Sequence, residues 1–300
     1  MLVSIVVITR NRPHVISNCI NSLLKQEYKQ YEIIVVDSSS DEGTREAMKA
    51  FPSARYIYFD NGKNKMPESR NLGIAAARGG IIAFIDDDTI CSPRWLGECV
   101  KSYASPAIGV VGGRILEPLT RDLDHSRKVP VGKINDKGEF FDNFDCETGS
   151  PVEADTLRGC NMSFRKEVFE KTGGFDPNYT GNNCREEADM ITRAKKAGFK
   201  VYFSPAMVLD HLVEKREDVG REKTSPRSNY YIVKNTAYYF IKNYGLISKK
   251  GLSYLLFSDT SVRYFLRTFS LNALHMMAVG LLGKASGLFT YLKYLSGKRP

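Results

Sequence analysis

Ile81-Ile82-Ala83-Phe84-Ile85-Asp86-Asp87-Asp88-Thr89-Ile90 sets five apolar residues directly before three consecutive carboxylates. An apolar run without alternation reads as a strand buried on both faces. Asp86, Asp87 and Asp88 then emerge at its C-terminal end, where open α/β sheets place their ligands. Three adjacent carboxylates repel one another unless something positive sits among them. A divalent cation with oxygen ligands, Mn²⁺ or Mg²⁺, meets that need and is commonly shared with nucleotide phosphates. The alternative is a solvated acidic turn in which Asp88 caps a helix near Pro93 and Trp95.

Upstream, Val3–Thr9 reads as another buried strand, ending in Arg10-Asn11-Arg12-Pro13, with helical spacing from Val15 to Gln26. Tyr31–Val36 is a second apolar strand, closed by Asp37 and a Ser-rich turn to Asp41, before a helix from Gly43 to Ala50. Ala54–Phe59 is a third, followed by an Asn61-Gly62 turn and a helix from Glu68 to Ala77 that leads into the Ile81 strand. Such alternation predicts a parallel sheet with right-handed crossovers. Each strand ends in a polar residue able to touch one ligand. On local grounds Asp37 also suits a turn-stabilising role before its three serines, and Arg70 and Asn71 suit local pairing at a helix start.

Eight motifs in order carry a resemblance. They are Val6-Val-Ile-Thr9-Arg-Asn-Arg12, Ile34-Val-Val-Asp37-Ser-Ser-Ser-Asp41, Ser69-Arg70-Asn71-Leu-Gly73 with Ala76, and Phe84-Ile-Asp86-Asp87-Asp88. Further along come Gly159-Cys-Asn161-Met-Ser-Phe-Arg165, Gly173-Gly174-Phe175-Asp176, Glu186-Glu187-Ala-Asp189 and Pro205-Ala-Met-Val-Leu-Asp-His211. Over about residues 1–211 the chain resembles the family 2 inverting glycosyltransferases. That resemblance implies a GT-A fold: α/β, with a Rossmann-like, mostly parallel central sheet flanked by helices. It also implies a nucleoside diphosphate sugar donor, UDP-linked in many members, and a glycan or lipid-linked acceptor.

Carried over position by position, the resemblance places Thr9 and Arg12 along the nucleotide cleft. Asp37 would accept from the base, which suits a carboxylate because the imide N–H of uracil is a donor. Asp86 belongs to the same nucleotide-sugar set, Asp87 would face the ribose, and Asp88 would ligate the metal. Arg70 and Asn71 would contact sugar or phosphate. Asn161 would lie in the floor under the donor sugar, although Gly159–Met162 also reads as a turn and N-cap. His211 would approach the metal or the diphosphate. The family's base is the second acidic residue of Glu-Asp-x-Asp; this chain has Glu187 there, one methylene longer, and Glu186 stays open as the alternative. Asp189 reads as structural, complementing the helix dipole. Gly173-Gly174-Phe175-Asp176 reads as a helix C-cap with a packed aromatic and as structural, with contact of Asp176 to the sugar as the alternative.

The chain has 300 residues and a net charge of +9, unevenly placed. Residues 1–211 carry 28 Lys or Arg against 29 Asp or Glu, whereas residues 212–300 carry 15 against 5. We therefore expect a glycosyltransferase domain over 1–211, with a nucleotide-sugar half to about 112 and an acceptor and catalytic half over about 113–211. Residues 117–155, with an Asn135-Asp-Lys-Gly138 turn, belong to the acceptor side. Residues 212–300, with Arg216, Arg221, Lys223 and Arg227 and aromatic-rich segments, form a basic helical region that binds an anionic membrane surface, packs as a cap or dimerises. Its longest uncharged run, Thr268–Gly283, has 16 residues. A spanning helix needs roughly 20. No groove-reading motif points to nucleic acid. Six cysteines without zinc spacing, and Met1–Thr9 used as a strand rather than a leader, lead us to expect a cytoplasmic protein, peripheral at the inner face of the membrane.

Two other classes compete. A nucleotidyltransferase shares the sheet and the metal-binding aspartates but ordinarily has a Gly-rich first turn, which Thr9–Pro13 lacks. A non-catalytic nucleotide-sugar-binding protein would be marked by loss of the carboxylates, which are present.

Overall fold

The computed structural model describes residues 1–60, 65–120, 122–214, 225–257 and 271–297. The Asn61-Gly62 turn, Arg216, Arg221, Lys223 and the first part of the Thr268–Gly283 run lie outside the described residues. The chain forms two compact units, one of Met1–Lys133, Phe141–Phe175 and Met190–Glu214, the other of Ile134–Phe140, Asp176–Asp189 and the C-terminal residues after Glu214.

In chain order the first elements are β1 (Val3–Thr9), α1 (Pro13–Leu24), β2 (Tyr31–Asp37), α2 (Gly43–Met48), β3 (Arg55–Tyr58), α3 (Met66–Ala76) and β4 (Ile81–Asp86). The expected alternation of strand and helix is present, with ends shifted by a few residues. β5 (Thr89–Cys91), α4 (Trp95–Lys101) and β6 (Ile108–Leu116) follow, then the short strands β7 (Lys133–Ile134), β8 (Phe140–Phe141) and β9 (Val152–Glu153). β10 (Asn161–Arg165), α5 (Lys166–Thr172), α6 (Glu186–Lys196) and β11 (Lys200–His211) complete the order up to the C-terminal helices.

Among the described residues the main sheet has nine strands, in the order β3-β2-β1-β4-β10-β6-β11-β5 with β9 also on β11. β1 is flanked by β2 and β4, both parallel to it. The strand order therefore reverses beside β1, the position at which open α/β sheets bind ligands. β10 runs antiparallel to β4 and β6, which makes the sheet mixed but mostly parallel. Gly159 and Cys160 form the expected turn, closed by Asn161 N donating to Arg158 O at 3.0 Å, but the N-cap half of that reading is corrected, since Asn161 opens a buried strand and no helix. The capping reading of Asp88 is overturned too. Residues 89–91 form β5, and α4 starts at Trp95 with Arg94 at its cap.

The core is the double-sided burial of this sheet. All seven residues of β1 and all six of β4 are buried. Ser4, polar within that run, donates to Glu32 at 2.6 Å and accepts from the Gly79 amide at 2.8 Å, so its burial leaves nothing unpaired. Phe84 packs edge-on against Phe164, Phe169 and Phe175, tying β4 to β10, α5 and the turn after α5. That turn is the C-cap expected from sequence, with Gly173 at φ +75° donating to Phe169 O at 2.9 Å. α3 lies so close on β1 that a Cβ at Gly73 would stand 2.3 Å from Val6 Cγ1.

The second unit contains α7 (Pro226–Tyr244), α8 (Lys249–Phe257) and α9 (Leu271–Leu295). α9 meets α7 through Gly283 and Gly287, where added Cβ atoms would come within 3.0 Å of Tyr230 O and 2.5 Å of Lys234 O. Its polar centre is Lys242, which donates to Asp176 at 2.6 Å and Asp189 at 2.9 Å. Tyr238 adds a bond to Asp176 at 2.7 Å. Burial works to raise Asp176, but Lys242 outweighs it and holds the carboxyl below its ordinary range. The Asn135 turn forms as expected, with Asn135 N donating to Glu139 O at 3.1 Å and Gly138 at φ +80°. No described helix is long and apolar enough to cross a membrane.

Gly73→Ala should destabilise the protein by about 1–3 kcal/mol, the usual cost of overpacking a well-filled core. Urea unfolding measures it, and a change below a few tenths would show that α3 shifts freely away from β1.

Candidate active site

The parallel register of β1 with its neighbours lines up the ends of three strands. Thr9 stands opposite Asp37, and Ile8 opposite Asp86. Antiparallel pairing of β5 with β11 then sets His211 opposite Thr89, one residue beyond the acidic triplet. The ladder continues past the strand, with Leu212 N donating to Asp88 O at 2.9 Å. Asp86, Asp88 and His211 thereby offer two carboxylate oxygens and an imidazole nitrogen within 4.8 Å of one another.

Positive groups converge on the triplet from separate parts of the first unit. Arg12, buried at the start of α1, donates to Asp87 at 2.5 Å and to Asp88 Oδ2 at 2.9 Å. It also donates to Glu214 O at 2.9 Å, while Glu214 N donates to Asp88 Oδ2 at 3.1 Å. Thr9 donates to the other Asp87 oxygen at 2.7 Å. His211 Nε2 lies 3.3 Å from Asp88 Oδ1, and its Nδ1 lies 2.9 Å from Glu117 Oε1. Arg70, also buried, comes to 3.8 Å from Asp86 Oδ1, a distance of charge compensation rather than hydrogen bonding. It is held over the Phe175 ring and against Gly159 O, where a side chain at Gly159 would press on the guanidinium.

Asp86 Oδ1 and Asp88 Oδ1 are buried and accept no hydrogen bond. With the His211 nitrogen beside them they make a mixed oxygen and nitrogen donor set, so the residues present fit a divalent cation of the Mg²⁺ and Mn²⁺ type. Burial works to raise Asp88, but His211 and Arg12 outweigh it and hold the carboxyl well below its usual range. Burial works to lower His211, but the Asp88 and Glu117 carboxylates beside it outweigh burial and push the imidazole up to about 9. At neutral pH the metal-free site therefore carries an imidazolium, whose proton a metal must displace.

The remaining expected site residues of this unit are satisfied by the protein itself. Asp37 accepts from Ser39 N at 2.8 Å, Ser39 Oγ at 2.5 Å and Tyr56 OH at 2.6 Å. Burial and the Asp37 charge push the Tyr56 phenol upward. The Asn71 amide clamps the Phe175 backbone, donating to O at 2.8 Å and accepting from N at 2.7 Å. Asn161 accepts from Trp95 at 2.9 Å and donates to Arg114 O and Met207 O at 3.0 and 3.1 Å, joining β10 to β6 and β11.

In the second unit, Glu186 is 1% exposed while Glu187, at the same helix start, is partly open to solvent. The loop before them is unusually constrained. Gly181, Asn183 and Arg185 all have positive φ, and Arg185 sits 3.5 Å over the Phe140 ring. Left-handed backbone at non-glycine residues costs energy that the surrounding structure must offset. Asp189 accepts from Lys242 and Asn243, as its structural reading requires.

Residues 4–173 match the profile of Glycosyl transferase family 2. The chain belongs to that family. Residues 141–215 also match the N-terminal domain of galactosyltransferase. Among named relatives, the glycosyltransferase AglE of Haloferax volcanii is 27% identical over 233 residues, 73% of this chain and 72% of its own length. A glucosyl-dolichyl phosphate glucuronosyltransferase of the same organism is 30% identical over 187 residues, 59% of this chain and 57% of its own. The S. aureus TarS 1–349 structure with UDP-GlcNAc superposes with a TM-score of 0.63 at 16% identity, covering 99% of this chain and 93% of that one. The Pyrobaculum calidifontis mannosyltransferase PcManGT with GDP-Man and Mn²⁺ gives 0.61 at 19%, covering 99% and 88%. The GT-A fold and a glycosyltransferase enzyme follow from these matches.

Glu117 was passed over in the sequence because it opens the irregular stretch 117–155. Its position directly after the buried strand β6 is the signal that marks it, the same signal that marked Asp37 and Asp86.

His211 makes stability depend on pH. Its folded pKa of about 9 exceeds the ordinary 6.5, so its contribution is complete below pH 6.5 and is lost as pH rises through about 9. Urea unfolding with chelator present should show a decline across that window of at most roughly 3 kcal/mol. His211→Gln should flatten it, and an equally steep decline in that variant would remove His211 from the cluster.

Proposed function

We propose that the protein is a metal-dependent inverting transferase that moves a hexose from a nucleoside diphosphate sugar, with UDP as the nucleotide, to a hydroxyl of a glycan or lipid-linked acceptor. The observation that carries this reading is the Asp86, Asp88 and His211 cluster at the C-terminal edge of the sheet, beside the reversal in strand order. The nucleotide sugars in the titles of the two structural neighbours support the donor class, and the dolichyl phosphate in the name of one relative supports the acceptor class.

In this reading Thr9, Arg12, Asp37 and Asp87 line the nucleotide side, and Arg70 supplies positive charge near the sugar and phosphates. Asn71 and Asn161 hold the surrounding backbone in place. Asp86, Asp88 and His211 would hold the cation, which when bound neutralises the diphosphate. Glu187 takes the proton from the acceptor hydroxyl as its oxygen attacks the anomeric carbon and the bond to the diphosphate breaks. Its access to solvent favours it over the sealed Glu186. A positioned base of this kind contributes about a hundredfold to ten-thousandfold.

Thermal unfolding with UDP- and GDP-sugars, with and without Mn²⁺, tests the assignment, because a ligand that binds only the folded state raises Tm. A UDP-sugar should stabilise the protein only with metal. Asp88→Asn should abolish that rise, and its persistence would sink the metal assignment. Glu187→Gln should keep the rise and lose about 10²–10⁴ in donor turnover. Loss of turnover in Glu186→Gln alone would exchange the two roles.

We also propose that α9 lies on an anionic membrane surface, the cytoplasmic leaflet being the anionic one. Leu274, Leu281, Leu282, Phe289 and Leu292 are exposed at spacings that share one helical face. Residues 225–257 and 271–297 contain seven Lys or Arg and no Asp or Glu. Each basic residue near such a surface is worth about 1 kcal/mol and is screened by salt, while the leucines are not screened. Sedimentation with anionic vesicles should be strong at low salt and weak on zwitterionic ones. A variant with Leu281, Leu282 and Phe289 changed to Glu should lose the salt-resistant share. Unchanged sedimentation of that variant, or a switch from dimer to monomer without any vesicle binding, would assign the face to a second copy.

A further inference from the structure

Beside the metal-type cluster, within the first unit, lies a cavity of about 250 Å³. Its lining combines the apolar side chains of Ile115 and Phe144 with an array of opposed charges. Arg127 grips Asp145 through both ends of its guanidinium, at 2.7 Å each. Asp145 is fixed further by His125 at 3.1 Å, and its carbonyl accepts from Arg114 Nε at 2.9 Å. Arg158 spans Glu117 at 2.9 Å and Asp142 at 3.9 Å. Among the described residues each guanidinium of the lining thus faces a carboxylate partner, and three carboxylates stand against two guanidiniums.

Held in this way, the paired groups still carry hydrogen-bonding capacity, because a carboxylate has about four acceptor sites and a guanidinium five donors. A hydroxyl donates one bond and accepts others, so it can bridge such a pair, and neighbouring hydroxyls on a ring can bridge neighbouring pairs. The apolar residues suit the C–H face of the same ring. The volume lies just below the ~300–1,000 Å³ typical of sites for drug-sized ligands. One sugar ring matches it better than a chain does. Asn143, at φ +45°, lines the cavity and ties the loop to Pro130 O at 2.7 Å. A left-handed non-glycine residue at such a place is a mark of functional loops.

We propose that this cavity binds one uncharged pyranose ring of the acceptor. The proposal rests on the transferase reading above and adds the acceptor's place and chemical class. Glu117 joins the two sites, because one of its oxygens accepts from Arg158 in the cavity wall and pairs with His211 Nδ1 in the metal-type cluster. A ring in the cavity is thus one residue removed from the cluster that receives the donor.

Saturation-transfer NMR on the full chain with UDP and Mn²⁺, using methyl glycosides of glucose, galactose, mannose and N-acetylglucosamine, tests the proposal. Methyl glucuronide and inorganic phosphate serve as the charged probes. At least one neutral glycoside should bind in the millimolar range, and the charged probes should not compete. Two variants should weaken binding at least tenfold: Asp142→Ala, which removes a half-exposed acceptor, and Leu123→Trp, which fills the exposed rim without touching an ion pair. Both should keep the parent Tm and the parent affinity for UDP with Mn²⁺. Three results overturn the proposal: no neutral glycoside binds, binding survives both folded variants, or the glucuronide or phosphate binds better. Failure of UDP to bind the unmodified protein would count against the transferase reading instead, and glycoside binding is read separately from it.

Discussion

Neutralising three consecutive buried aspartates is the constraint on which the rest of the first unit depends. Asp87 is fully buried, and Asp86 and Asp88 nearly so. Carboxylates in such a place cost several kcal/mol each unless paired and hydrogen-bonded. The partners come from positions far apart in the chain: Arg12 from the first turn, Arg70 from α3 and His211 from the end of β11. Removing any one would leave a buried charge uncompensated, which costs more than the pair contributes. The site's charges and the sheet's connectivity are therefore one arrangement, in which the strand order places the cations where the acids emerge.

That arrangement demands close tolerances elsewhere. Arg70 reaches Asp86 because α3 sits against β1 at a glycine, and because Phe175 and Gly159 shape its slot. Phe175 in turn is fixed by the Asn71 clamp and by the aromatic cluster around Phe84. His211 arrives at the end of a twelve-residue strand that carries a register shift between Ser204 and Val208. Pro205, which has no N–H to offer a ladder, falls within that irregularity.

The second unit shows the same logic on a smaller scale. Lys242 is buried between Asp176 and Asp189 and surrounded by the Tyr179, Tyr238 and Tyr294 rings. Aromatic faces and two carboxylates together compensate an ammonium far better than either alone. The left-handed backbone of Asn183 and Arg185 lies between those two aspartates, directly before Glu186 and Glu187.

Much of this was legible in the sequence, and the rest was not, for a physical reason. Unbroken apolar runs such as Ile5–Ile8 and Ile81–Ile85 can be satisfied only by burial on both faces, so the alternating β1–β4 core and the polar ends Thr9, Asp37 and Asp86 could be read residue by residue. Local pattern carries no information on cross-strand partners. It could not show that Asn161 opens an antiparallel strand, that Asn71 and Asn161 use their amides on backbone, or that Glu117 stands against His211. The acid at Asp88 belongs to the sequence. That its counter-charges are Arg12 and His211, the latter 123 positions away, was decided by the parallel pairing of β1 with β4 and the antiparallel pairing of β5 with β11. Such pairing is a property of the whole sheet, whose register is set by burial over the whole unit and by no single segment.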